Sequence, residues 1–157
     1  MTQTKDHPGV IAPPPFIYLG FLVAGWGLGE WLGLTGLGLE PTVRKVVAVA
    51  LIVAGFALEM WAGGLFRKAG TNIVPWSPST ALVTQGPYRF SRNPMYVGFA
   101  LTYLGLAIGL DSPVALALLV PCLLLMTWGV VGREERYLEG KFGESYRAYR
   151  RSVRRWL

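Results

Sequence analysis

Residues 113–132 read PVALALLVPCLLLMTWGVVG, twenty consecutive positions without a charge. A helix rises about 1.5 Å per residue, so such a run covers a hydrocarbon core about 30 Å thick. A membrane-crossing helix is expected here, and it frames the reading on either side. Upstream, Asp111-Ser112-Pro113 separates it from a shorter apolar block, Met95 to Leu110. The two should form a tight helical hairpin. Phe16 to Leu34, with Glu30 as its one charge, and Val46 to Phe66, with Glu59, complete the set.

The composition fits this pattern. The 157 residues are 52% hydrophobic and 15% charged, with a mean hydropathy of +0.40; soluble domains usually carry about 25% charged residues. The apolar residues fall in long blocks rather than periodic stripes. The expectation is one all-α integral membrane domain of about four transmembrane helices, over 16–34, 46–66, 95–110 and 113–132. A folded cytoplasmic cap would occupy 67–94 and an amphipathic C-terminal helix 133–157. The first block follows no basic cluster and is too long for a cleavable signal.

Basic residues orient the chain. With four spans, one side holds Lys5, Arg67, Lys68, Arg89, Arg92 and everything basic from Arg133 onward, thirteen residues against Arg44 and Lys45 opposite. Both termini and the cap are therefore placed in the cytoplasm, and the compact chain points to a bacterial inner membrane. The net charge of +6 reads as topology and attraction to anionic headgroups rather than nucleic-acid binding. Cys122 lies mid-span, where a buried inert thiol is expected, and His7 sits in a Pro-rich lead. No metal site is expected from one of each. In the first span, Gly25-Trp26-Gly27-Leu28-Gly29 lacks the preceding strand of a dinucleotide loop and reads as close helix packing.

The cap holds Pro75, Pro78, Pro87 and Pro94, which rule out a continuous helix. It also holds Ile73, Val74, Trp76, Leu82, Val83, Tyr88 and Phe90, which ask for burial. In the tail, Leu138, Phe142, Tyr146, Tyr149, Val153 and Trp156 recur every three or four residues, an apolar helical stripe with a possible break at Phe142-Gly143. Its late arginines, Arg155 among them, read as a membrane-attachment face.

Chemistry concentrates at the two ends of the hairpin. One end carries Gln85-Gly86-Pro87-Tyr88-Arg89-Phe90-Ser91-Arg92-Asn93-Pro94-Met95-Tyr96-Val97-Gly98, the other Arg133-Glu134-Glu135. Hairpin geometry brings Arg89, Arg92, two carboxylates, Asn93, Tyr88 and Tyr96 to one depth. Carboxylates suit an amine or sulfonium, arginines a carboxylate, and rings a stacked partner. Glu59 is the deeper of the two acids within spans, a functional position by default; it could line a substrate channel or pair with an arginine of the cap.

Gly86-Pro87-Tyr88-Arg89, Arg92-Asn93-Pro94-x-Tyr96-x-Gly98 and Glu134-Glu135-x-x-Leu138-x-x-x-Phe142-Gly143-x-x-Tyr146-x-x-Tyr149-x-x-x-Val153 together resemble the isoprenylcysteine carboxyl methyltransferase family, related to the membrane phospholipid methyltransferases. The likeness covers about half the chain. It implies S-adenosylmethionine as cofactor, S-adenosylhomocysteine as product and a lipophilic or lipid-modified substrate. By position, cofactor contacts would fall on Leu82, Val83, Tyr88, Asn93, Pro94, Met95, Tyr96, Glu134 and Glu135, and the chemistry on Glu135, Arg133 and Arg92. Two departures stand out. The family usually has His where this chain has Asn93, which bonds but does not titrate. The family's substrate-facing arginine falls where this chain has Gly129, Val130 and Val131, with Arg133 as the nearest replacement. The alternatives are a phospholipid amine N-methyltransferase, an NADPH-dependent sterol-reductase-like enzyme, or a small exporter built on Glu59.

Overall fold

The computed structural model describes residues 7–73 and 77–157; Lys5, Val74, Pro75 and Trp76 lie outside the described residues. Among the described residues the α-helices follow in the order α1 Pro14–Leu32, α2 Pro41–Lys68, α3 Pro94–Gly109, α4 Pro113–Met126, α5 Gly132–Phe142 and α6 Glu144–Ser152. Among the described residues there is no strand, only an isolated bridge between Ser91 and Arg154. Each of the first four helices opens on a proline, whose fixed φ and missing N–H suit a first helical turn. Two of those starts are also capped: Glu40 accepts from Val43 N (2.9 Å) and Ser112 from Ala115 N (3.2 Å).

Among the described residues two helices are long and apolar enough to cross a membrane, α2 and the continuous rod Pro113–Phe142. That rod joins α4 to α5 through a π-helical turn, Thr127–Val131. α1 is 19 residues diluted by Glu30, two prolines and four glycines, and α3 has 16 residues. α2 begins at Pro41, earlier than expected, so Arg44 and Lys45 belong to its first turns. Its side chains Val46, Val49, Val53, Phe56 and Met60 are exposed. A face this apolar exceeds what water-soluble monomers usually present and matches lipid.

α2 packs against α3, and α1 against α4. Small residues permit both approaches. A Cβ on Gly55 would meet Thr102 Oγ1 at 2.5 Å and Gly98 O at 2.6 Å, and one on Gly105 would meet Ala48 O at 2.7 Å. A Cβ on Gly25 would stand 2.6 Å from Ala115 Cα. Backbone closeness of this kind replaces the hydrophobic drive that lipid does not supply between helices. Tyrosines tie the pairs together: Tyr18 donates to Tyr96 O (3.0 Å) and Tyr103 to Ala115 O (2.7 Å). Cys122 lies buried in this core with Ile17, Leu22, Met126 and Val130.

The tail departs from a single helix. Gly143, at φ +54°, breaks it after Phe142, a conformation that favours glycine. The helix then stops at Ser152, and Val153 is extended. The expected stripe through Val153 and Trp156 is therefore not helical. The backbone of this terminal strap finds long-range partners instead: Arg92 N donates to Arg154 O at 2.9 Å.

Candidate functional site

A cavity of about 260 Å³ opens where α3 begins and α4 has passed into α5. Phe66 of α2 forms one wall, Leu82 and Val83 of the 69–93 connection another, and Met95, Tyr96 and Phe99 of α3 a third. Tyr146 and Tyr149 come from α6, Glu134, Glu135 and Leu138 from α5, and Pro8, Pro14 and Pro15 from the start of the chain. The connection is shaped locally. Thr71 Oγ1 accepts from Thr80 N (2.9 Å) and Ala81 N (3.4 Å), and Thr80 Oγ1 donates to Gly70 O (3.1 Å). Beyond it, a 3-10 turn over Gly86–Arg89 delivers Tyr88. Gly86 has φ +59°, and an added Cβ would meet Leu65 Cδ1 at 2.8 Å. Tyr88 packs on Phe66, ring centroids 5.6 Å apart, and its carbonyl accepts from Tyr149 OH at 2.7 Å.

The two adjacent acids have different surroundings. Glu135 is 4% exposed and surrounded by arginines. Arg92 Nη2 donates to its Oε1 (2.7 Å), Arg155 Nε to the same oxygen (3.0 Å), and Arg155 Nη2 to Oε2 (2.7 Å). Glu134 accepts a short hydrogen bond from Tyr96 OH (2.6 Å), and among the described residues no arginine or lysine is paired with it. A carboxylate in largely apolar surroundings is costly to keep charged without a counter-ion. The arrangement leaves Glu134 able to receive a cation.

Arg92 also binds the tail, its Nη1 donating to Arg150 O and Val153 O, both at 2.9 Å, while its buried Nε has no partner. Asn93 Nδ2 donates to Arg155 O at 2.8 Å. Burial pushes the Tyr146 phenol up to about 12, the Glu135 charge adding to it, and raises Tyr88 further, with Tyr149 and Glu134 contributing. These phenols are neutral donors near neutral pH.

The structure thus brings together Leu82, Val83, Tyr88, Arg92, Asn93, Met95, Tyr96, Glu134 and Glu135 around one space. Pro94 is buried at the start of α3 without lining it. Arg133 is exposed and donates to Gly9 O at 2.7 Å, beside a second, open hollow with His7 and Arg136. Arg89 and Phe90, expected to point inward, face out, and Phe90 is 73% exposed. Glu59 does not line the cavity; it accepts from Thr102 Oγ1 (3.0 Å) where Gly55 and Gly98 close α2 onto α3. At Gly129, where the family's arginine would fall, Ile11 packs against the chain, and its N–H donates to Gly129 O at 3.4 Å. Arg155, which the helical stripe places on a membrane-attachment face, instead pairs with Glu135, because the chain leaves helical geometry after Ser152; no local signal marks the break. Among the described residues no group of three His, Cys, Asp or Glu side chains could hold a metal ion.

A profile of the phospholipid methyltransferase family matches residues 43–145, about two thirds of the chain. The chain belongs to that family. It is 38% identical over 63 residues to an uncharacterized protein of Haemophilus influenzae, a match covering 40% of this chain and all of that protein. It is also 39% identical over 72 residues to the protein-S-isoprenylcysteine O-methyltransferase of Schizosaccharomyces pombe, covering 46% of this chain and 30% of the yeast protein. The fold and the family together define a membrane protein of a methyltransferase family.

Proposed function

We propose that this chain transfers a methyl group from S-adenosylmethionine to a lipophilic acceptor of the isoprenylcysteine carboxyl kind. One observation carries the reading: the cavity collects Glu134 beside Tyr88, Asn93, Met95 and Tyr96, the positions the family resemblance assigns to the cofactor. Its donor set fits that group. Glu134 receives the cofactor's ammonium, the rings of Tyr88 and Tyr96 stack or face its cationic part, and Leu82 and Val83 supply apolar walls. When bound, the cofactor supplies the sulfonium methyl. Glu135, Arg92 and Asn93 hold the walls in place rather than touching the reacting atoms. The acceptor's apolar part comes from the bilayer, and both termini and the cavity face the cytoplasm, with α1 and α3 completing four spans.

Methyl transfer depends mainly on alignment of nucleophile and methyl carbon. A carboxylate acceptor loses no proton. A lipid amine must lose one, and Glu134 is the acid in the cavity without an arginine partner; it would have to serve cofactor and proton together. This favours the carboxylate. Calorimetry in detergent should show S-adenosylhomocysteine binding in the micromolar range, about −8 kcal/mol. Saturation by NADPH, with none by S-adenosylhomocysteine, would reverse the assignment.

A further inference from the structure

We infer that Arg155, on the C-terminal strap, is a positioning residue: with Arg92 it occupies both oxygens of Glu135 and leaves Glu134 as the carboxylate available to a cation. The inference rests on the methyltransferase reading above. Adjacent carboxylates repel, and a buried one without a partner is strongly unfavourable. Here both oxygens of Glu135 are taken, and Arg155 fills two roles at once. Its guanidinium donates twice to Glu135 (3.0 and 2.7 Å), its carbonyl accepts from Asn93 Nδ2 (2.8 Å), and the preceding carbonyl accepts from Arg92 N (2.9 Å). The strap therefore fixes the motif that opens α3 to the acids on α5. Its guanidinium also sets the charge of the cavity. Without it, Glu135 keeps only Arg92, and the net charge around the cavity falls by one.

That charge can be read apart from folding. S-adenosylmethionine carries a sulfonium that S-adenosylhomocysteine lacks. Arg155→Gln should favour the sulfonium ligand, shifting the ratio of the two dissociation constants by about threefold or more. A merely structural residue would weaken both ligands alike. Arg155→Lys keeps the charge and should keep the wild-type ratio, and Arg155→Gln combined with Glu135→Gln should return to it. Calorimetry on the full chain in detergent measures all four proteins, with melting temperatures beside them. An unchanged ratio in Arg155→Gln, or the same shift in Arg155→Lys, overturns the inference. Should Arg155→Gln fail to fold, the double variant decides: folding with a wild-type ratio supports the charge role, and failure to fold overturns it. A wild-type protein that binds neither ligand removes the methyltransferase reading, and this inference with it.

Discussion

Each end of the helical bundle has an acid locked by arginine, yet among the described residues only the Glu135 end borders the cavity. At the far end Asp111 pairs with Arg44, accepts from Leu37 N at 2.8 Å, and offers its own carbonyl to Gly36 N at 2.9 Å. At the cavity end Glu135 is held by Arg92 and Arg155. Both clusters stitch a connection onto helix ends. The difference is the neighbour: Glu134 stands beside Glu135 with one phenol as partner and open space ahead. An acid–arginine pair in itself is a fastening. A carboxylate left over beside a cavity is a candidate binding group.

The comparison breaks most visibly at Glu134. Glu134→Gln removes the charge with little change in volume. Losing a charge-assisted hydrogen bond of about 1.5–3 kcal/mol should lower S-adenosylhomocysteine affinity about 10- to 150-fold. Calorimetry checks this, with the melting temperature as folding control; an unaltered affinity would place the ammonium elsewhere.

Between the two ends, Gly55→Ala tests the packing that joins them. The new methyl would meet Thr102 Oγ1 at 2.5 Å and backbone at 2.6 Å, and overpacking costs about 1–3 kcal/mol. The variant should melt earlier in detergent, while residual folded protein still binds ligand. An unchanged melting temperature would mean that α2 and α3 stand further apart.

Tyr96→Phe sharpens the contrast more gently. It removes the 2.6 Å bond to Glu134 but keeps the ring. Ligand affinity should fall by about threefold, the scale of a net hydrogen bond of roughly 0.5–1.5 kcal/mol. A loss as large as that of Glu134→Gln would assign the phenol a direct ligand contact.

The smallest effect belongs to the far end. Asp111→Asn should leave ligand affinity at the wild-type value and lower the melting temperature slightly. Leu37 N–H first, and then Arg44, hold the Asp111 carboxyl below its ordinary 3.8. A depressed value contributes stability that is complete above the unfolded pKa and lost as pH falls through the folded one. The gap between wild type and Asp111→Asn should therefore close in acid, below about 4. A gap that persists there would trace to shape rather than charge.

Much of this was legible from sequence because the signals are local. Proline after a polar residue starts α3 and α4, and twenty uncharged residues make a rod. Hairpin geometry expects Tyr96, Arg92 and the two acids at one depth; the pairings Tyr96 with Glu134 and Arg92 with Glu135 come from the structure. What escaped depends on distant partners. Arg44 and Lys45 interrupt an apolar block without interrupting a helix, so hydropathy starts α2 too late. Glu134 and Glu135 are chemically identical in sequence; about 100° of helical turn sends one to Tyr96 and the other to Arg92. The strap leaves helical geometry after Ser152 because Arg92, some sixty positions earlier, offers its backbone N–H to Arg154.

Helix lengths give the cavity its depth. α2 has 28 residues and α3 has 16, a difference of about 18 Å at 1.5 Å per residue. Gly55 meets Gly98, and Gly105 meets Ala48, so part of the surplus falls past the start of α3. There Phe66 stands beyond Pro94 as an overhanging wall, with Tyr88 against it. The ledge between a tall helix and a short neighbour is a recess. Inserting a helical turn at the start of α3 would fill that recess, and removing one from the end of α2 would take away its wall.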